Sequence, residues 1–361
     1  MNAKQLWRAL RPMIMGAALL AVLAAWPASP QAQGFAGLGS AAEGFALPEP
    51  RALSFPEDHG AHPAFRIEWW YLTANLSDAE GTDYGVQWTL FRSAIAPERG
   101  SSWRSPQLWL GHAAITTPQE HFPMERFARD ATGQADVVAD PFSAWIDEWQ
   151  MTAPEGSPGI SALTLRAGAE RAAYDLTLTA DGPLIAHGEA GYSIKSEGGQ
   201  ASHYYSQPFY TVSGTLHLPD RSVDVTGQAW LDREWSSQPL EGDQTGWDWV
   251  SLHLSGGHKV MAARVRDGAG SYTFGTWITA DGSARALTDT DIKLTPQETH
   301  TVAERTLPTT WRVELPAEGV DVTIEAVNRD AWMALSVPYW EGPATVTGSH
   351  DGRGYLEMTG Y

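Results

Sequence analysis

Short alternating segments, rather than helical periodicity, organise this chain. Apolar and polar residues alternate in runs bounded by Gly, Pro, Asp and Asn, which is typical of strands in a sandwich or barrel. The runs are rich in aromatic and β-branched residues, which also favour strands. The clearest predicted strands are Ile67–Leu76, Tyr84–Phe91, Leu108–Ile115, Tyr174–Thr179, Pro208–Leu218, Ser222–Leu231, Trp247–Leu254, Lys259–Arg266, Tyr272–Thr279, Trp311–Leu315, Val320–Val327 and Gly354–Thr359.

A polar stretch without periodicity lies between Trp235 and Gly246. Enough predicted strands lie on each side of it to close a small barrel, and closure removes the exposed edges that strands otherwise present. The sequence therefore predicts an all-β fold, either as one large domain or as two. We favour two antiparallel β-barrel domains, residues 55–238 and 239–361, after a linker at residues 35–54.

The start of the chain resembles an export signal. Basic residues from Lys4 to Arg11 precede the apolar run Met13–Trp26, and Ala32-Gln33-Gly34 has the small-x-small spacing that signal peptidase recognises. We expect residues 1–34 to be a cleavable Sec-type signal peptide and the mature protein to be periplasmic or secreted. The alternative is an uncleaved membrane anchor, although a spanning helix needs about 20 apolar residues.

Charge and cysteine content narrow the classes of partner. The formal net charge of −19 repels phosphate backbones, so we expect no nucleic-acid partner. No cysteine is present, so neither disulfides nor a lipoprotein anchor can form, and stability must come from burial. No later stretch is apolar enough to span a membrane, and we expect no integral membrane segment after signal cleavage.

Tryptophan is unusually common, with 17 in the chain, often in pairs such as Trp69 with Trp70 and Trp247 with Trp249. One interpretation is a core built with Trp. The other is a ligand cavity with aromatic walls, because an indole N–H needs a partner and ligand pockets combine apolar walls with a few polar groups. The sequence leaves both open.

Glu68 lies in a predicted strand whose two faces are both largely apolar. A carboxylate there would be semi-buried, and we expect it to pair with an arginine such as Arg92. A catalytic role is the alternative. His59 and His62 could form a metal site with Glu68, but a His-x-x-His pair alone is a weak signal, and we predict no metal.

A second acidic segment offers a proton donor. Trp230, Asp232 and Glu234 alternate onto one strand face, where poor hydration would raise the pKa of a carboxyl group. The Pro219-Asp220 turn would fold this strand against the one carrying His203 and Tyr205, so that the two groups could approach each other. The alternative is that Asp232 makes an ordinary ion pair and His203 only a hydrogen bond.

At these residues the sequence resembles a known family. The strings FPEDHGAHPAFRIEWWYLTANL, YGVQWTLFR, SHYYS, VTGQAWLDREWSS, GWDWVSLHL and GYLEMTGY are similar to the lipocalin-like family of predicted secreted hydrolases, grouped with the AttH proteins and the carotenoid 1,2-hydratases (hydroxyneurosporene synthases). The matches extend from about Phe55 to Tyr361. The resemblance implies two lipocalin-like, calycin-type β-barrels and an apolar, isoprenoid-like or lipid-like ligand.

The hydratase branch implies site residues. Its His-x-aromatic pair corresponds to His203 and Tyr205, and its aromatic-x-Asp pair to Trp230 and Asp232, with Asp232 as the proton donor. An exported protein would not meet a carotenoid pathway at the cytoplasmic side of the membrane, which argues against a carotenoid substrate. From the matching strings we expect further ligand contacts at Glu68, Trp70, Gln87, Arg92, Tyr204, Glu234, Trp247 and Trp249.

These residues predict a cofactor-free hydratase or hydrolase. Asp232 would protonate an apolar substrate, His203 would orient Asp232 or a water, and the rings of Tyr205 and Trp230 would stabilise a cation. No Ser-His-Asp elbow is visible. The alternative is a non-enzymatic carrier of a hydrophobic ligand, or an accessory to an export system.

Overall fold

A computed structural model describes residues 44–97, 104–238, 244–268 and 270–361. The predicted signal peptide, residues 1–34, and the first part of the linker lie outside these ranges. Within them the chain forms antiparallel strands and no α-helix, with 3-10 turns at Glu57–His59, Ser255–Gly257 and Pro316–Glu318. No helix of the described ranges is long and apolar enough to cross a membrane.

The first sheet has 13 strands and comes from the first two thirds of the chain. In order of position they are β1 (Ile67–Ser77), β2 (Asp83–Ala94), β3 (Gln107–Thr116), β4 (His121–Arg129), β5 (Ala135–Ala139), β6 (Phe142–Ile146), β7 (Trp149–Thr152), β8 (Ala162–Gly168), β9 (Ala173–Ala180), β10 (Ile185–Ala186), β11 (Tyr192–Ile194), β12 (Ala201–His217) and β13 (Ser222–Ser236). Strand β6 packs against β2, β3 and β4, so the sheet curls onto itself.

The second sheet has 10 strands, and a separate two-stranded ribbon lies within the same part of the chain. The sheet contains β14 (Gln244–Leu254), β15 (Lys259–Asp267), β16 (Ser271–Ile278), β17 (Ala284–Leu287), β18 (Lys293–Pro296), β21 (Thr310–Leu315), β22 (Val320–Ala326), β23 (Trp332–Met333), β24 (Tyr339–Gly348) and β25 (Gly352–Met358). The ribbon pairs β19 (Thr299–Val302) with β20 (Arg305–Pro308).

The sheets curl into a barrel and a half-barrel, which confirms the predicted all-β, lipocalin-like antiparallel fold. The change of sheet falls between Ser236 and Gln244, and both sheets belong to one compact unit. The division into domains at residues 55–238 and 239–361 stays a prediction.

Strand alternation creates three apolar layers. One lies inside the first sheet and another inside the second; Trp88 and Trp149 belong to the first, and Trp311 to the second. These tryptophans therefore build core, as one of the two interpretations held. The third layer joins the two sheets and includes Tyr71, Tyr204, Trp230, Trp249, Phe274 and Tyr355.

The β12–β13 hairpin is the longest pairing of the first sheet. It turns at Pro219-Asp220 as predicted, but β12 begins at Ala201 rather than Pro208. Proline cannot donate to a strand ladder and is tolerated at bulges. The pairing register shifts between Gln207 and Tyr210, around Pro208, and the strand continues through that bulge.

Candidate active site between the two sheets

Strand β13 sends alternate side chains to two different layers. Trp230 and Asp232 point towards the layer between the sheets, whereas Arg233 and Trp235 point into the first sheet's interior. Asp232 is opposite Ser206 of β12 on one side and opposite Tyr71 of β1 on the other. Directly opposed residues share a face of the sheet, so both flank Asp232.

Three uncharged donors hold the Asp232 carboxylate. The Trp230 indole donates to Oδ1 at 2.6 Å, and the Ser206 hydroxyl donates to the same oxygen. The Tyr204 hydroxyl donates to Oδ2 at 2.6 Å. Both carboxylate oxygens are therefore fixed in position by groups that carry no charge.

Burial raises the pKa of Asp232 to about 7. The hydrogen bonds from Ser206, Tyr204 and Trp230 lower this pKa, but they do not outweigh the loss of hydration, and Glu234 raises it further. No cationic side chain of the described ranges lies within ion-pair distance of Asp232. The group is therefore poised to exchange a proton near neutral pH.

The second sheet covers Asp232 with aromatic rings and two more acids. The Trp249 indole donates to the Tyr204 hydroxyl at 3.3 Å, and its ring meets Tyr71 edge-on at 5.3 Å between centroids. Glu341 of β24 and Glu357 of β25 lie directly opposite each other. They face the same layer as Asp232, because Trp249 in turn lies opposite Glu357.

Glu341 and Glu357 also lack a cationic partner among the described residues. The Tyr71 hydroxyl donates to Glu341 Oε1 at 2.5 Å, and the Trp247 indole donates to Glu357 Oε1 at 2.6 Å. Burial raises the pKa of Glu357 to about 7, and the Trp247 hydrogen bond opposes this rise. Burial, then the charge of Glu357, holds the pKa of Glu341 well above its ordinary value.

We call this group the acid site: Tyr71, Tyr204, Ser206, Trp230, Asp232, Trp249, Glu341 and Glu357. A family model described as AttH-like matches residues 46–361. The chain belongs to the AttH-like family. Its match includes every residue of the acid site.

Two solved structures resemble this AttH-like chain. An AttH protein from Nitrosomonas europaea is 33% identical, with a TM-score of 0.77, and the alignment covers 88% of this chain and 99% of that one. Kievitone hydratase from Nectria haematococca is 16% identical, with a TM-score of 0.64 and coverage of 88% and 98%. At that identity the second likeness shows the fold alone. None of the curated proteins compared with the chain matches it.

The expectation that His203 and Tyr205 approach Trp230 and Asp232 is wrong. Across the hairpin His203 lies opposite Trp235 and Tyr205 opposite Arg233, so both point away from the acid site. A shift of one residue changes the face of every side chain in a strand, and the sequence did not fix the register. Tyr204 and Ser206 lie beside Asp232 instead of His203 and Tyr205.

The opposite face of β13 belongs to a cluster of ion pairs. Glu68 accepts from Arg92, from Arg233 Nη2 at 2.6 Å and from the backbone N–H of His62 at 2.8 Å. Burial alone would raise the pKa of Glu68, but the two arginines outweigh it and hold that pKa well below its ordinary value. These contacts agree with the interpretation of Glu68 and Arg92 as a structural ion pair.

Residues around the first 3-10 turn complete this ion-pair cluster. His62 Nε2 lies 3.0 Å from Asp58 Oδ1, and the His62 ring stacks on Trp235 at 4.0 Å. His59 Nδ1 lies 2.7 Å from the Tyr205 hydroxyl, and the Trp70 indole donates to the His59 carbonyl at 2.9 Å. Both histidines considered as metal ligands are thus engaged with protein groups.

The remaining predicted contacts are divided between the layers. Trp247 and Trp249 reach the acid site, and Glu234 borders it through an ion pair with Lys195 at 3.0 Å. Gln87 is opposite Thr73 and hence on the Tyr71 face, where its amide donates to Thr89. The predicted ligand residues therefore do not form one pocket wall.

Sequence reasoning missed His187, which lies behind Ser206. Its Nε2 is 2.5 Å from the Ser206 hydroxyl, and its Nδ1 is 2.7 Å from the Thr276 hydroxyl of the second sheet. Ser206 stands between His187 and Asp232, whereas a catalytic triad places the histidine in the middle. A lone histidine in a glycine-rich loop gave no signal of this contact.

Proposed function

We propose that this AttH-like protein is a cofactor-free enzyme that adds water to a carbon–carbon double bond of an apolar substrate, with Asp232 as the general acid. The observation that carries the proposal is the environment of Asp232: a buried carboxyl that forms no ion pair in the described ranges, since the nearby Lys195 pairs with Glu234, and that is held by neutral donors among aromatic rings. Because its pKa lies near 7, this carboxyl is partly protonated at neutral pH and can serve as a general acid.

The reaction balances without another reactant. The π electrons of the alkene take the Asp232 proton, forming a C–H bond and leaving a cation on the neighbouring carbon. Water attacks that carbon, and the resulting oxonium returns a proton to the Asp232 carboxylate. The rings of Trp230, Tyr204 and Trp249 line the site and can stabilise the cation, each by about 0.5–2 kcal/mol.

The arrangement favours hydration over ester hydrolysis by a serine nucleophile. The Ser206 hydroxyl donates to Asp232, so His187 has no direct contact with the carboxylate through which a triad would work. The hydratase name of one structural neighbour agrees with this choice but does not decide it. We likewise propose that the substrate is apolar and that the protein acts in the periplasm or outside the cell.

Isotope incorporation tests the proposal. The protein is incubated with an acyclic isoprenoid or a prenylated phenol in water enriched in oxygen-18, and the product is examined by mass spectrometry. We expect one labelled hydroxyl in the product of the wild-type protein and none with Asp232→Asn. Binding of the same compound, followed by Trp fluorescence, should persist in the variant because its rings are unchanged.

Asp248→Asn is the matched control, because Asp248 is also a buried aspartate but contacts Tyr361 and lies near Arg264. Its product yield should match that of the wild-type protein. Label incorporation by Asp232→Asn would exclude Asp232 as the acid. Recovery of bound but unchanged compound from every form, including the wild type, would favour the alternative, a carrier of hydrophobic ligands.

A further inference from the structure

Strand β14 of the second sheet crosses the acid site. Its residues Trp249, Ser251 and His253 share one face, because alternate residues of a strand point the same way. The Trp249 indole donates to the Tyr204 hydroxyl at 3.3 Å, and the His253 ring meets the Trp230 ring edge-on at 5.8 Å between centroids. The face that carries Ser251 is therefore turned towards the first sheet.

These two contacts locate Ser251. Tyr204 and Trp230 both donate hydrogen bonds to the Asp232 carboxylate, one to each oxygen. Ser251 lies midway between the two residues of β14 that contact them. It therefore faces Asp232 across the layer between the sheets.

A second set of contacts gives the same position. Met261 of β15 lies opposite Ser251, and Thr276 of β16 lies opposite Met261. The Thr276 hydroxyl is 2.7 Å from Nδ1 of His187, which in turn contacts Ser206 of the acid site. The row of side chains that contains Ser251 thus lies over the acid site.

Ser251 brings a buried hydroxyl to this position. Its side chain is fully buried, and its Oγ has no hydrogen-bond partner in the described ranges. Buried hydroxyls normally have a partner, because leaving one unpaired costs free energy. The Ser251 hydroxyl is therefore available to a ligand that enters the layer.

His253 brings a second buried atom of this kind, a nitrogen that can only accept. Its Nε2 lies 3.1 Å from the Pro208 carbonyl oxygen, and a carbonyl only accepts, so Nε2 carries the proton. Burial, then the charge of Lys259, lowers the pKa of His253 to about 4, so the ring is neutral at pH 7. Nδ1 is thus an acceptor, and it has no partner in the part of the chain that the structure describes.

The two atoms together select one kind of ligand group. Residues two apart in a strand are separated by about 7 Å, so one ligand oxygen between the two side chains can reach both. A hydroxyl group satisfies both atoms, since it can donate to Nδ1 of His253 and accept from Ser251. An ether or carbonyl oxygen can only accept, and it would leave Nδ1 unpaired.

We propose that Ser251 and His253 bind a hydroxyl group of the substrate, which makes the substrate class unsaturated alcohols or phenols rather than hydrocarbons. This inference deepens the proposed function and rests on it for the place of the double bond at Asp232. A hydroxyl fixed on the second sheet sets which double bond of a longer chain meets the acid.

Binding of a matched pair of compounds tests the proposal. Farnesol and farnesyl methyl ether share one carbon chain, but only the alcohol has a hydrogen to donate. The whole protein carrying Asp232→Asn is titrated with each compound in a calorimeter, so that no turnover interferes. We expect farnesol to bind about fivefold or more tightly than the ether, the factor that one hydrogen bond supplies.

Two further substitutions in the same background separate the two contacts. His253→Phe keeps a ring but removes Nδ1, and it should bring the ratio of the two affinities close to one. Ser251→Ala should weaken both compounds, because each has an oxygen that accepts from the hydroxyl. Ser251→Ala has no protein partner to lose, so it covers the case in which His253→Phe does not fold.

Ser202→Ala is the matched control. Ser202 also has a buried hydroxyl without a partner in the described ranges, but it lies four residues from Ser206 along β12, about 13 Å away. Its affinities should equal those of the Asp232→Asn parent.

Equal affinity of that parent for alcohol and ether, failure of both to bind, or unchanged affinities in Ser251→Ala would overturn the proposal and leave the two atoms to water. Hydration of an alkene by Asp232 would survive that result, since the oxygen-18 experiment tests it separately. A preference for farnesol without any labelled product would instead keep the hydroxyl site and exclude the hydratase.

Discussion

The Tyr204 hydroxyl donates a 2.6 Å hydrogen bond to Asp232 Oδ2, while Tyr205, its neighbour in sequence, points to the opposite face of the sheet. Tyr204 stabilises the ionised form of Asp232 and so limits the rise in its pKa. Tyr204→Phe should therefore raise the pKa of Asp232 above about 7, as measured by carbon-13 NMR of labelled aspartate carboxyls. Tyr205→Phe should leave that pKa unchanged, and a fall in Tyr204→Phe would contradict the assignment.

The pKa of Glu357, on the second sheet, should also rise when its hydrogen-bond donor is removed. The Trp247 indole donates to Glu357 and lowers its pKa, which burial has raised to about 7. Trp247→Phe removes that donor, and we expect the Glu357 pKa to rise. Trp249→Phe is the control, because the Trp249 indole donates to Tyr204 instead. Carboxyl NMR of labelled glutamate distinguishes the two variants, and equal shifts would show that the hydrogen bond is not the cause.

The ion-pair cluster around Glu68 should dominate stability. Glu68→Gln leaves Arg92 and Arg233 buried with their charges uncompensated, and we expect a loss of about 3–5 kcal/mol in the free energy of unfolding. Asp321→Asn, in the exposed pair with Arg312, should have a much smaller effect. Denaturant unfolding at neutral pH measures both.

The Glu68 effect should also depend on pH. The pKa of Glu68 is depressed in the folded protein, so its stabilisation is present above its ordinary value of 4.5 and is lost as the pH falls below it. The stability difference between wild type and Glu68→Gln should therefore narrow in acid. A difference that widens on acidification would mean that Glu68 is protonated in the native state.

Asp232 should change the pH dependence of the free energy of unfolding in the opposite direction to Glu68. Its folded pKa of about 7 exceeds the ordinary 3.8, so the folded state binds the proton more tightly and its stability falls as pH rises between these values. The full cost above pH 7 is about 4 kcal/mol. Asp232→Asn should show a shallower decline over this interval in thermal or denaturant unfolding. An unchanged slope would place the Asp232 pKa near its ordinary value.

Alternation and turn residues were sufficient to predict the main strands. Each predicted strand, from Ile67–Leu76 to Gly354–Thr359, overlaps an observed one, because each has a buried and a less apolar face or is apolar on both. The prediction did not include the longer strands β4 and β24, nor short strands such as β10 and β23, in which two residues are too few to show a period. The turn at Pro219-Asp220 was readable because its residues favour a turn locally.

The acid site was only partly predictable. Asp232 and Trp230 stood out because an acid beside aromatic residues on one face is a local pattern. Glu341 and Glu357 reach the site from the second sheet, and contacts between sheets leave no mark on local periodicity. The bulge at Pro208 and the register of β12 decided whether His203 or Tyr204 meets Asp232, and neither follows from composition.

Strand β13 has a consequence for how this protein can diversify. Its even-numbered positions, 230 and 232, carry the proposed chemistry, and its odd-numbered positions, 233 and 235, pack inside the first sheet. A point substitution at an even-numbered position can therefore change the site, and one at an odd-numbered position can change the packing of the first sheet, without either affecting the other face. A single insertion or deletion would exchange the two sets, placing Arg233 where the acid belongs. New specificities should accordingly arise by substitution within this strand and by length changes only in the loops.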